Sequence, residues 1–169
     1  GFERAEKIAV LTRYTRDCVL HQNPSWASKL AVIPVPVDCA RYQPSADSRR
    51  DSLVCLGRLS DPRKNLGLLL DAFAECARTK PYLRLVLVGS ADEATRRKIR
   101  SHPFSPRIIR HDNLAEPDKI RIIQNATALV VPSLQEGLGI TGMEALACGV
   151  PVISTPCGGT ADYVANGEN

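Results

Sequence analysis

The chain has no long apolar run. The longest, around "ATALVVPSL" at 126–134, is far short of the roughly 20 residues that a membrane-spanning helix needs. Histidine is scarce: His21, His102 and His111 are the only three, and none has zinc-site spacing, so no metal is expected. There is no C-x-x-C among Cys18, Cys39, Cys55, Cys76, Cys148 and Cys157. Several of these lie in apolar runs, so they read as buried free thiols of a reducing compartment rather than a disulfide framework. Neither G-x-G-x-x-G nor G-x-x-x-x-G-K-[ST] occurs, which argues against ordinary dinucleotide binding and P-loop chemistry. A strong charge bias is missing too, the net charge being +4.

The densest basic cluster is "RRKIR" at 96–100, followed by Arg107, Arg110 and His111. No aromatic residue interleaves with it, so base stacking and a nucleic-acid partner are not expected. Two readings stay open: a solvated helix face, or a surface attracted to anionic headgroups at a membrane.

What is there is ordinary for a soluble globular protein. The 169 residues, 44% apolar and 24% charged, suffice for one domain with a sizeable core. "GFERAEK" carries neither an initiator Met nor a secretory signal, so the chain reads as an excised piece of a larger protein. A cytoplasmic location is expected, with peripheral contact at the inner face of a membrane as the corollary of the basic face.

From residue 52 onward, apolar runs alternate with helical patterns. The segments 52–57, 83–89, 107–111, 128–133 and 151–155 read as strands. Three of them are nearly continuous apolar, as parallel strands buried on both faces should be. Between them, Leu66, Leu69, Leu70, Phe73 and Ala77 follow the i, i+3, i+4, i+7 stripe of a half-buried helix. Further helices are predicted at 91–100, 116–125, 141–148 and 160–165. The rhythm implies an α/β fold, a doubly wound, parallel, Rossmann-like sheet with helices on both faces. Residues 1–37 differ: two short strands flank a helix near 14–21, and they read as the remnant of a preceding lobe. Residues 38–51 are polar and turn-rich and read as an inter-lobe linker. The main domain is 52–169, expected to be truncated at its C-terminus.

In open α/β sheets, ligands bind beyond the carboxyl ends of the strands. "GRLSDPRKN" (57–65), "GS" (89–90), "PSLQEGLGIT" (132–141) and "TPCGGT" (155–160) all fall there. Arg58 and Lys64 are candidate phosphate cations. The helix starting near Thr141 offers unpaired amides and the positive end of its dipole. Glu136 and Glu144 make sense if they grip hydroxyls, since a carboxylate can bridge a vicinal diol. A diphosphate flanked by two diols, as in a nucleotide sugar, suits this set. "TGME" is also S/T-x-x-E, so Thr141 and Glu144 could instead form a capping box.

"GRLSDPRKN", "LRLVLVGS" and "PSLQEGLGITGMEALACGVPVISTPCGG" resemble the donor-binding lobe of retaining glycosyltransferases of the GT-B fold. The group 1 (family 4) type, with its Glu-x7-Glu signature, is the nearest likeness, covering essentially residues 30–169. The resemblance implies sugar transfer from a nucleoside-diphosphate sugar, with retention and without a metal or other cofactor. Arg58 and Lys64 would neutralise the diphosphate, Glu136 would hold the transferred sugar, and Glu144 the ribose. Amides of Gly139, Ile140 and Thr141 would touch sugar and phosphate. The base would lie against 111–116, at Asn113 and Leu114, and the loop at Gly89. A sugar, lipid or protein acceptor would be held by the absent N-terminal lobe, so the piece alone is not expected to turn over. Arg63 competes with Lys64 as second cation, and Lys64 is favoured. Two departures stand out: Val35-Pro36 in "PVPVD" implies a stiffer hinge, and Gly142 sits oddly in a first helical turn. Asp162 and Tyr163 read as structural. The alternatives are a nucleotide-sugar epimerase of the same fold and a non-catalytic module that binds anionic surfaces.

Overall fold

The computed structural model describes residues 2–46 and 51–169. Residues 47–50, within the expected linker, lie outside the described residues. At the start, β1 (Ile8–Val10) and β2 (Leu30–Val32) pair in parallel around α1 (Arg13–Gln22). This two-stranded sheet is separate from the main one. A 3-10 segment at Pro24–Lys29, not anticipated from the sequence, follows α1.

The main sheet contains β3 (Ser52–Leu56), β4 (Arg84–Val88), β5 (Ile108–His111), β6 (Ala126–Val131) and β7 (Val152–Ser154). The spatial order is β5-β4-β3-β6-β7, every pair parallel. The connecting helices are α2 (Leu66–Thr79), α3 (Glu93–Arg100), α4 (Glu116–Gln124) and α5 (Ile140–Ala147). The chain winds outward in one direction from β3 and then returns to β6 on its other side. The crevice at the carboxyl ends of β3 and β6 is therefore the topological switch point, where open α/β sheets bind ligands.

Both faces of the sheet are buried, and alternate residues serve each. Val54, Leu56, Val86, Val88, Leu129 and Val131 point into one cluster with Ile123 of α4 and Ala145 of α5. Cys55, Leu85 and Leu87 point into the other, with Phe73 of α2 and Ile99 of α3. That double burial is why the strands read as unbroken apolar runs. The five residues of the expected α2 stripe are the five that helix buries.

Several boundaries differ from the sequence reading. β6 starts at Ala126 and ends at Val131, because Pro132 cannot donate to a ladder. The helix expected at 160–165 is only a 3-10 turn, Gly159–Asp162. Gly158 enters it at φ 101°, and Tyr163 leaves it at φ −141°, outside the helical region, so no second turn can form. The cysteines need correction too. All six are free, but only Cys55, Cys148 and Cys157 are buried, whereas Cys18, Cys39 and Cys76 are exposed.

The basic cluster is largely engaged by its surroundings. Arg96 donates to the Ala91 carbonyl at 2.9 Å, Arg100 pairs with Glu93 at 2.5 Å, and Arg110 pairs with Asp112. Arg107 donates to the carbonyls of Ala77, Lys80 and Pro81 at the end of α2 and lies 4.8 Å over the Phe104 ring. No helix of the described residues is long and apolar enough to cross a membrane.

Candidate functional site

Two strand ends set the floor. Gly57 N–H donates to Val88 O at 2.9 Å, and Gly89 N–H to His111 O at 2.8 Å, so the ladder continues past the strands. Gly89 has φ 136°, and a Cβ there would sit 1.8 Å from the Gly57 carbonyl oxygen. Close backbone packing thus requires glycine at this position.

The loop after β3 is organised by Asp61. Its carboxylate accepts from Arg63 N at 3.0 Å, from Arg63 Nε at 3.1 Å and from Arg63 Nη2 at 2.7 Å. Arg58 Nη2 approaches the same carboxylate at 3.4 Å. The Arg63 side chain and amide hold the Asp61 carboxyl down to about 2. Both arginines are therefore gathered by one acid, while Lys64 is left to reach across the crevice.

Lys64 Nζ meets Glu136 Oε1 at 2.5 Å, and Ser133 Oγ donates to that same oxygen at 2.7 Å. The lysine runs over Gly57, whose missing Cβ would lie 3.0 Å from Lys64 Cε. Glu136 is pinned by its backbone, with its N–H donating to Cys157 O at 2.7 Å and its carbonyl accepting from Gly159 N at 3.0 Å. Leu134 N donates to Arg63 O at 2.7 Å, tying the β6 loop to the β3 loop.

These groups line a cavity of about 480 Å³ that takes in Arg58, Asp61, Arg63, Lys64 and Glu136. Its other wall is Tyr14, Thr15 and Cys18 of α1. That segment is docked onto the loops: the buried Thr12 hydroxyl donates to Gly137 O at 2.9 Å, and Arg13 N donates to Asp162 Oδ2 at 2.7 Å.

α5 starts beside the cavity. Gly139 caps it at φ 72°, with no side-chain capping bond. Thr141 is thus the second residue of the helix and Glu144 its fifth, which removes the capping-box alternative, because that motif needs the hydroxyl at the cap itself. Tyr163 Oη donates to Gly139 O at 2.6 Å, and a Cβ on Gly142 would lie 2.5 Å from that hydroxyl. The odd glycine in the first turn is there to admit Tyr163.

Glu144 lies deeper. Lys119 Nζ of α4 donates to its Oε1 at 2.9 Å, while Oε2 is buried without a hydrogen-bond partner. The ammonium also stands 5.1 Å over the Tyr42 ring, and Tyr42 Oη donates to Glu116 Oε1 at 3.2 Å. Arg41 pairs with the second oxygen of Glu116. Burial opposes the Lys119 charge, yet the contacts with Tyr42 and Glu144 outweigh it and hold its pKa above the ordinary lysine value. Burial likewise pushes the Tyr42 phenol up to about 12.

Of the residues singled out from the sequence, Arg58, Lys64 and Glu136 come together in the cavity, joined by Arg63. Gly89, Asn113, Leu114, Gly139, Ile140, Thr141 and Glu144 do not line it. Asn113 is exposed, and Leu114 packs half-buried against the core. Asp61, Ser133, Lys119 and Tyr42 went unanticipated. For Asp61 a signal existed, since Asp before Pro is a helix-start pair; Lys119 and Tyr42 carry none. Among the described residues no group of three or more His, Cys, Asp or Glu side chains could hold a metal ion.

The model of the family described as "Glycosyl transferases group 1" matches residues 50–169. The chain is 30% identical to D-inositol 3-phosphate glycosyltransferase of Segniliparus rotundus over 82% of its own length and 34% of that protein. It is 31% identical to a GDP-mannose-dependent α-(1-6)-phosphatidylinositol monomannoside mannosyltransferase of Mycolicibacterium smegmatis, over 97% of the chain and 48% of that protein. It spans between a third and a half of these relatives. In three dimensions it resembles HepE of Anabaena, solved in complex with UDP and glucose, at TM-score 0.82 and 21% identity, over 96% of this chain and 48% of that one.

Proposed function

The chain belongs to the group 1 glycosyl transferases, and on that footing we propose that it is the donor-binding lobe of a retaining enzyme using a nucleoside-diphosphate sugar. One observation carries the reading: Lys64 and Glu136 face each other at 2.5 Å in a cavity at the switch point, with Arg58 and Arg63 beside them. A carboxylate and three cations around one cavity suit a ligand bearing both hydroxyls and a diphosphate.

When such a donor reacts, the sugar becomes oxocarbenium-like and negative charge grows on the departing β-phosphate. Lys64, Arg58 and the α5 N-terminus stabilise that charge, taking the part a divalent metal would otherwise play. Amides of Gly139, Ile140 and Thr141 approach sugar and phosphate, with open space beside Gly137 where a side chain would otherwise stand. Glu136 accepts hydrogen bonds from the transferred sugar and orients its anomeric carbon. Glu144 accepts from the ribose, and the base lies toward Gly89, Asn113 and Leu114. The acceptor and the rest of the machinery come from the remainder of the enzyme.

A thermal-shift panel of nucleoside diphosphates and their sugars tests this. A ligand at a hundred times its Kd stabilises by about 2.7 kcal/mol, or a rise in Tm of a few degrees for a domain of this size. A flat response to every nucleotide would remove the reading.

A further inference from the structure

A groove outside the phosphate site runs between α3 and the free edge of the main sheet at β5. Ile99, Pro106 and Ile108 give it an apolar lining, and Arg96, Arg100 and Arg110 stand around it, enclosing about 520 Å³. Charge is uneven here. Residues 91–112 hold Arg96, Arg97, Lys98, Arg100, Arg107 and Arg110 against Asp92, Glu93 and Asp112. Six cations less three anions give this stretch +3 of the chain's net +4. The acids do not close the groove. Arg100 and Glu93 are each 62% exposed, and Asp112 is shared between Arg110 and, at 3.7 Å, Arg96. Exposed pairs of this kind contribute little, so they leave the guanidiniums available to a better-placed carboxylate.

The strand adds backbone groups to this charge. Gly89 N–H donates to His111 O at 2.8 Å, which fixes the side of β5 that faces β4. Alternate residues turn their backbone groups the other way, and Ile108 N–H accordingly bonds Ser105 O instead of β4. The carbonyl of Ile108 and both backbone groups of Arg110 thus point out from the terminal strand of the sheet. The geometry points to a docking site for an extended acidic segment of a partner protein, which adds as a strand beside β5 and sets alternate carboxylates on Arg96, Arg100 and Arg110. A flat anionic bilayer would meet the rim but neither the apolar lining nor the strand edge. A second copy of this chain would bring the same excess of positive charge and be repelled. The surface stands apart from the cavity of Lys64 and Glu136, so it does not rest on the nucleotide reading.

The test measures binding of a labelled hexapeptide of alternating valine and glutamate to the full chain by fluorescence anisotropy, without nucleotide. Three controls accompany it: the same peptide with lysine for glutamate, a blocked peptide of three glutamates then three valines, and a fully N-methylated form. The alternating acidic peptide is expected to bind roughly tenfold more tightly than each control, the worth of one hydrogen bond to a charged group. Its affinity should fall as salt rises. Arg100→Glu should weaken it by about tenfold. Arg97→Glu makes the same change of charge on an exposed residue of α3 outside the groove, and should cost less than about threefold. If Arg100→Glu does not fold, Arg100→Gln serves and should give an intermediate loss. Equal losses at Arg97 and Arg100, or equal binding of the blocked peptide, would reduce the site to a general positive field and overturn it. Undiminished binding of the N-methylated peptide would overturn the strand addition. Binding to phosphatidylglycerol vesicles with none to the peptides would assign the groove to lipid headgroups and overturn the peptide partner. No binding of the alternating peptide by the unaltered chain would overturn it outright.

Discussion

The two lysine–glutamate pairs are alike in exposure and unlike in mounting. Side-chain exposure is 25% and 13% for Lys64 and Glu136, and 25% and 10% for Lys119 and Glu144, so burial does not separate them. Their supports do. Glu136 sits on a loop between β6 and α5, with Lys64 and Ser133 on one oxygen and two further cations at the same cavity. Glu144 sits within α5, with one cation and an aromatic ring behind it. On the proposed function the first arrangement exchanges partners, because phosphate and sugar hydroxyls of a donor would replace what Lys64 and Glu136 give each other. The second is held at a fixed place.

The largest expected effect breaks the exchangeable pair. Glu136→Gln in the complete enzyme should lower turnover by about a hundredfold or more, and the unaltered enzyme should carry no glycosyl adduct by intact mass. An adduct trapped on that residue would mean that Glu136 is a nucleophile rather than a positioning group. Next, Lys64→Ala should weaken nucleoside-diphosphate affinity by about 1.5–3 kcal/mol. Arg63→Ala should cost less, since Arg63 is exposed and already committed to Asp61; the opposite order would exchange their roles. Gly142→Ala probes the ground between the pairs. Helix propensity alone would stabilise by about 1 kcal/mol, but the contact with Tyr163 should reverse the sign, lowering stability by about 1–3 kcal/mol. Tyr163→Phe, which removes the nearest atom, should recover part of that loss in Tm.

The smallest effects are in the pH dependence of stability. Asp61 titrates at about 2 in the folded chain, below the usual carboxylate range. Its contribution is therefore complete above about pH 4 and lost as pH falls toward 2. Tyr42, at about 12, contributes fully below pH 10, near the ordinary tyrosine value, and its share is lost as pH rises through 12. Urea midpoints across both ranges, with Asp61→Asn and Tyr42→Phe flattening one limb each, check the assignment.

The three inner strands were legible because burial on both faces leaves an unbroken apolar trace, and α2 because its stripe matches a helix over fourteen residues. The cavity cations and Glu136 were legible because loops at strand ends in this topology face ligands. Lys119 was not, because a lysine on a short helix looks solvated whether or not a buried acid from another helix lies beneath it. Tyr42 was hidden for a similar reason. One aromatic in a polar, turn-rich stretch carries no periodicity, and its burial is decided by tertiary contacts alone. The 3-10 turn at Gly159–Asp162 shows the converse, a helical pattern cut short where the backbone of Tyr163 leaves the helical region.

The hydrogen bond from Thr12 to the Gly137 carbonyl means that the loop between β6 and α5 is not self-supporting. Thr12 lies 125 residues away from its acceptor and has no exposed surface. Lobe-swapped chimeras built among members of this family would thus depend on where the seam falls. A seam at residue 38 would hand the loop to a foreign α1, and only donors of a hydroxyl at the position of Thr12 should be compatible. Moving the seam upstream of residue 8 would keep the loop's brace with the loop, and should widen the range of partners that give an active hybrid.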